Sequence, residues 1–179
     1  MWLEQLNRKD YQQLLAGRKY NEIASRAARI ETRTNLLFSF EKMALRDAIK
    51  TSAGARDFAQ GLYDYLYGSE SMQVRFERFA ETLSALPRRQ TRVLTWPLQT
   101  VFGFLANPHR FIFLKPRVTK IGAEKYQFPF NYQSGPNWET YKSYLDFAEQ
   151  VRVDTADLHP RDFIDLQSFI WVLGSEEYP

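Results

Sequence analysis

Cysteine is absent from the 179 residues, which removes any disulfide framework, thiolate metal site or cysteine nucleophile. Stability must come from packing, and this composition suits a reducing compartment, so the expected location is cytoplasmic. Long apolar runs are missing as well. Nothing approaches the roughly 18 consecutive apolar residues that a membrane span needs, and the opening stretch MWLEQLNRKDYQQLL is too charged for a signal peptide. Histidine is scarce: His109 and His159 each sit beside a proline with no ligand at helical spacing, so neither a metal site nor a cofactor is expected. The eight glycines are scattered, and they form neither a Gly-x-Ser-x-Gly elbow nor a phosphate-cradling loop. A P-loop hydrolase and a serine triad are thereby excluded. The Glu-x-Lys spacing of strand-borne nuclease sites is absent too.

What is present is aromatic and helical. Phe, Tyr and Trp make up 16% of a chain that is 44% hydrophobic, enough to bury one sizeable core. Trp2, Leu3, Leu6, Leu14 and Leu15 suit a first helix that starts abruptly, without a cap, as though inside a longer element; Gly17 breaks it. A long helical pattern runs from Tyr20 to Lys50 through Ile23, Ala27, Ile30, Leu37, Phe40, Ala44 and Ile49. Shorter amphipathic stretches follow, over 55–67 and from a Ser69 or Ser71 cap to Pro87.

The second half is less regular. Thr95 predicts an N-cap, with a helix ending at Asn107-Pro108. Phe111–Leu114 reads as a buried extended run, and Arg117–Lys125 as two or three helical turns. Tyr126, Phe128, Phe130 and Tyr132 alternate around Pro129, which suits an extended or edge segment and not a central strand. Asn137 caps a helix to about Val153. Pro160 starts a last helix, apolar over most of its circumference and therefore expected at the centre of the core. On that reading, Trp171→Ala costs roughly 3–5 kcal/mol if the ring is fully buried. The fold class is all-α: an orthogonal helical array with a short irregular or extended aromatic-rich section near 108–135. It forms one domain over 1–179, with a possible subdivision into 1–86 and 87–179.

Charge is segregated along the chain. Between Pro87 and Lys125 stand eight basic residues and one acid, net +7; from Glu139 onward nine acids face three bases, net −6. Arg88, Arg89, Arg92, Arg110, Lys115, Arg117 and Lys120 are the candidate phosphate contacts, with Tyr126, Phe128, Tyr132 or Trp138 available to stack on bases. The alternative is that these cations are solvated, or neutralised by the acidic segment. Asp162 and Asp165 share one side of the last helix, beside Arg161. They read as dipole-complementing acids, with Asp165 paired to an arginine, or as part of a pocket with Gln167, Trp138 and Lys115.

Several strings carry a resemblance: Arg33-Thr34-Asn35-Leu36-Leu37-Phe38-Ser39-Phe40-Glu41-Lys42, Leu94-Thr95-Trp96-Pro97, Phe113-Leu114-Lys115-Pro116, Pro136-Asn137-Trp138-Glu139-Thr140-Tyr141, and Pro160-Arg161-Asp162-Phe163-Ile164-Asp165-Leu166-Gln167-Ser168-Phe169-Ile170-Trp171. Together they resemble an uncharacterised bacterial protein family over most of the chain. That family has no assigned activity and lends no catalytic residues; its members begin further upstream, in keeping with the abrupt first helix. A local similarity over Leu94–Pro116 links the chain to helix-hairpin-helix DNA glycosylases and to helical domains accompanying restriction systems. Thr95-Trp96-Pro97 stands where their glycine-rich hairpin would be. The reading that follows is a nucleic-acid-binding helical domain, DNA-associated, with DNA or RNA as partner. A protein-interaction or assembly domain with a protein partner is the alternative, and an enzyme comes third.

Overall fold

Polar side chains that accept hydrogen bonds from free amides start most of the helices: Asn7, Thr51, Ser71, Thr95, Asn137 and Asp162 each do so. In the computed structural model, which describes residues 1–89 and 91–175, the helices run in order α1 (Trp2–Gln5), α2 (Arg8–Ala16), α3 (Tyr20–Thr32), α4 (Ser39–Ala48), α5 (Ser52–Tyr67), α6 (Met72–Ala85), α7 (Trp96–Ala106), α8 (Pro116–Lys125), α9 (Trp138–Asp154) and α10 (Phe163–Gly174). A 3-10 turn at Ala156–Leu158 precedes α10. No strand occurs among the described residues, and the all-α expectation holds.

Two expected helices divide. The first breaks at Leu6, where the Asn7 side chain accepts from the Asp10 amide and starts α2 afresh. The long Tyr20–Lys50 pattern breaks over 33–38. There Thr34 Oγ1 donates to the Glu31 carbonyl, Lys42 Nζ donates to the Thr34 carbonyl, and the Glu41 carboxylate accepts from the Phe38 amide. Apolar spacing carried across the gap because Leu37, inside the turn, is buried as Ile30 before it and Ala44 after it are. The pattern reports which side faces the core, not whether the helix is continuous.

The helix enclosed on all sides is α7, where every residue from Trp96 to Phe104 is buried. It packs against α1, α3, α5 and α6. Two of its buried polar groups have internal partners, Gln99 Nε2 donating to the Phe76 carbonyl and Thr100 Oγ1 to the Trp96 carbonyl, while Gln99 Oε1 is buried without one. This corrects the expectation for α10, which buries Phe163, Leu166, Gln167 and Ile170 but leaves Ile164 and Val172 half exposed. Trp171 is only partly buried, so the condition attached to its large truncation cost is not met. Helix α10 also begins later than expected, at Phe163 and not at Pro160, because Asp162 caps it.

The extended run after α7 shows how backbone can be buried without a sheet. Phe111 to Leu114 are all at most 1% exposed, so their amides and carbonyls need partners. The Tyr141 hydroxyl donates to the Ile112 carbonyl and accepts from the Ile112 amide, both at 3.1 Å. Thr100 Oγ1 accepts from the Leu114 amide. Side chains from α7 and α9 thus do the work of a neighbouring strand. Beyond α8, the aromatic section lies along α9, with Asn131 and Gln133 amides donating to Ser143 and Thr140 hydroxyls. Tyr126, Phe128, Phe130 and Tyr132 turn inward while the residues between them are exposed. The buried apolar side chains form one continuous cluster from Trp2 to Ile170.

Helices α8 and α10 lie against each other because Gly174 has no side chain. A Cβ there would sit 2.0 Å from the Val118 carbonyl oxygen. This contact fixes one wall of the largest cleft described below.

Candidate functional site

Three helix N-termini open into a single cleft of about 690 Å³. Phe38 and Phe40 bring the start of α4, Thr95 and Trp96 that of α7, and Lys115 and Pro116 that of α8. Unbonded amides and aligned peptide dipoles give such ends positive potential. The opposite wall holds Trp171, Gly174 and Ser175 from the C-terminal end of α10, whose dipole has the other sign, and Tyr132 and Ser134 complete the lining.

Glu41 ties two of these termini together. One carboxylate oxygen accepts from the Phe38 amide and the other from the Thr95 hydroxyl, each at 3.0 Å. Thr95 Oγ1 meanwhile accepts from the Leu98 amide, capping α7. Burial raises the Glu41 carboxyl above its ordinary range, against the opposing pull of the Phe38 amide, the Thr95 hydroxyl and the positive charge of Lys115.

The cations of the cleft are Arg92, Lys115 and Arg117. Lys115 Nζ lies 4.2 Å from the Phe38 ring centre and 5.0 Å from that of Trp171, a cation held between two aromatic faces. Phe38 stacks on Phe40 with centroids 5.6 Å apart and planes 14° from parallel, and both rings are about half exposed (50% and 49%). Lys120 Nζ sits 4.9 Å over the Tyr132 ring at the edge of the same cleft. Cations and flat apolar faces therefore alternate around one opening.

The sequence-derived cations divide among three places. Arg92, Lys115 and Arg117 converge in the cleft, and Lys120 joins them through Tyr132. Arg88 and Arg89 line a separate groove with Asp47, Lys50 and Thr51. Arg110 lines a third, with Arg8 and Arg75. Among the described residues, Asp146, Glu149 and Asp165 pair with Lys142, Arg152 and Arg161 of their own segment; Glu176 and Glu177 lie outside the described residues.

Asp162 and Asp165 have structural partners. Asp162 accepts from the Ile164 and Asp165 amides, while Asp165 accepts from the Arg161 guanidinium and backbone. Those bonds hold the Asp165 carboxyl down to about 2. Gln167 accepts from the Tyr144 hydroxyl, and Trp138 packs edge-on against Phe76. None of these four lines the cleft. At 1.5 Å per residue, Asp162 and Asp165 lie about 13 and 9 Å along α10 from Trp171, and neither lines the cleft that Lys115 lines. Sequence reasoning missed Phe38, Phe40, Glu41 and Trp171 as cleft residues. The only local signal was Glu41 three places after the α4 N-cap, half of a capping box.

Comparison with family models, curated proteins and solved structures returns no match to this chain. Among the described residues, no three His, Asp or Glu side chains gather as a metal-holding group, and no helix is long and apolar enough to cross a membrane.

Proposed function

We propose that the cleft binds nucleic acid as a single strand, DNA foremost, with Arg92, Lys115 and Arg117 on phosphates and Phe38, Phe40 and Tyr132 against bases. The observation that carries this reading is the placement of Lys115 between the Phe38 and Trp171 rings, in a cleft that two arginines also line. Single strands are held by cations along the backbone and by aromatic faces that tolerate any base. A duplex keeps its bases stacked inside and would leave the Phe38–Phe40 stack without a role. The reading places the protein in a bacterial cytoplasm, following the sequence resemblance and the lack of cysteine.

Fluorescence anisotropy with a labelled oligothymidylate, a matching RNA and a duplex, at two salt concentrations, tests it. Three phosphate contacts give a log–log salt slope of about −2 on a single strand. Replacing Arg92 and Arg117 by alanine lowers that slope by about 1.4, whereas Arg88→Ala with Arg89→Ala serves as the charge-matched control on another groove. No binding at low salt, or equal losses in both double variants, would overturn the assignment.

A second reading, a protein partner, is favoured by the exposure of Phe38, Phe40 and Met43 along α4. Such a partner would bind with little dependence on salt, and Met43→Asp would weaken it without affecting the oligonucleotide.

A further inference from the structure

We infer that the groove between α2, α6 and the turn after α7 is a second anion site, built to take the phosphate of a small organic phosphate. It is separate from the cleft and independent of the reading given to it. Three arginines from three elements line it: Arg8 at the start of α2, Arg75 on α6 and Arg110 in the 107–110 turn. No carboxylate is among its lining residues.

Arg75 is the unusual member. It is only 2% exposed, although arginine is almost never fully buried without a partner for its charge. Its Nε donates to the Glu70 carbonyl and its Nη1 to the Tyr65 carbonyl, at 3.0 and 2.9 Å. Those bonds orient the guanidinium but bring no negative charge, and they leave it N–H groups to spare. The carboxylate whose field reaches Arg75 is Asp64, itself 3.9 Å from Arg78. On the groove side the neighbour is another cation, Arg110, whose like charge adds to burial in pulling the Arg75 pKa down. Guanidinium groups that line one groove and feel each other's charge repel in the empty protein and become complementary when a doubly charged oxyanion binds beside them.

The backbone is shaped for this arrangement. At Gly68, which lines the groove, a Cβ would come within 2.9 Å of Arg75 Cδ and 2.6 Å of the Asp64 carbonyl oxygen. The turn after α5 passes close over the Arg75 side chain there, and the same Cβ would also come within 2.6 Å of the Asp64 carboxylate. Arg8 lies with its guanidinium carbon 6.0 Å from the Tyr67 ring centre. The groove encloses about 400 Å³, more than a phosphate fills, and Leu66, Tyr67 and Phe111 make part of its wall apolar. An organic group attached to the phosphate therefore has a surface to lie on, which selects a phosphate monoester over the free ion.

The test is a titration of inorganic phosphate and of phenyl phosphate into the ¹⁵N-labelled protein, with sodium chloride holding ionic strength constant. Saturable shifts are expected at the Ser69 and Asn107 amides and at arginine Nε–H signals, with phenyl phosphate binding more tightly than phosphate and phenol not binding. Arg110→Ala removes charge-assisted bonds and weakens binding about 10- to 100-fold. Arg8→Ala does so to a lesser extent, while Arg92→Ala with Arg117→Ala leaves it unchanged. Arg8 and Arg110 are exposed, so both variants fold and the result does not depend on replacing the buried Arg75. Shifts that fail to saturate, that chloride reproduces, that appear only around the cleft, or that saturate in R110A at the same phosphate concentration as in the unaltered protein would each overturn the assignment.

Discussion

Thr95→Ala tests how the cleft is assembled, because one hydroxyl performs two tasks there. It accepts from the Leu98 amide at 3.3 Å and donates to the buried Glu41 carboxylate at 3.0 Å. Losing the cap costs about 1 kcal/mol. Leaving a carboxylate oxygen of Glu41, a residue only 3% exposed, without its donor adds about 1–2 kcal/mol, for a total of about 2–3 kcal/mol against a typical stability of about 5–15. Urea unfolding followed by circular dichroism at fixed pH measures the loss, and an unchanged m-value shows that the folded and unfolded states are otherwise the same. Thr95→Ser keeps both bonds and should restore most of the stability. A cycle with Glu41→Ala separates the two tasks: in that background T95A should cost only the cap, about 1 kcal/mol, leaving a coupling of about 1–2 kcal/mol. A T95A cost below about 0.5 kcal/mol, or the same cost with and without Glu41, would refute the claim that Glu41 joins the starts of α4 and α7.

Three further outcomes are expected. Tyr141→Phe deprives both the amide and the carbonyl of Ile112 of their partner, so it should cost about 2–4 kcal/mol and speed hydrogen exchange at Ile112; slow exchange in the variant would show that another group satisfies the segment. Gly174→Ala places a carbon 2.0 Å from a backbone oxygen of α8, forces α8 and α10 apart, and should lower stability by about 3 kcal/mol together with oligonucleotide affinity; a neutral outcome in unfolding would contradict the close packing. The pH profile of stability should fall as pH rises from about 4.5, because burial raises the Glu31 and Glu41 carboxyls above their ordinary 4.5 and the folded chain then holds protons that the unfolded chain has released. Below 3.8 the sign reverses. Asp165, held down to about 2 by Arg161, contributes stability that is lost as pH falls toward 2. Glu31→Gln with Glu41→Gln should flatten the upper limb and leave the acid limb, as read from urea midpoints across pH.

How far the fold was legible follows from which interactions are local. Caps at Ser71, Thr95 and Asn137 could be read because an N-cap bond spans three residues. The extended reading of 111–114 also came from a local signal, a short apolar run between a proline-marked helix end and a second proline. Its means of support did not. That the Tyr141 hydroxyl would serve Ile112, 29 residues away, depends on how α9 is laid down. The enclosed position that the sequence pattern assigns to α10, and that α7 takes, has the same origin. The two helices are similarly apolar, and only the packing of α1, α3, α5 and α6 around one of them decides which is enclosed.

The cleft follows this rule in a way that bears on the function. Arg92, Lys115 and Arg117 were legible as cations, since a run of basic residues with almost no acid is visible in any linear reading. What gives them chemistry is not in that run. Phe38 and Glu41 come from α4 and Trp171 from α10, more than 50 residues away on either side of Lys115. In the sequence Phe40 reads as a member of a helix's apolar side, and Trp171 as core. Tertiary structure instead leaves Phe38 and Phe40 half exposed and sets Lys115 between Phe38 and Trp171. Charge density along a chain therefore does not say which cations share an opening. Arg88, Arg89 and Arg110 carry the same charge as Lys115, yet they line other grooves, away from the Phe38–Phe40 stack and Trp171. The proposed single-strand reading rests on the pairing of cation with exposed ring, and in this fold that pairing is made by long-range contacts that bring α4, α8 and α10 to one opening.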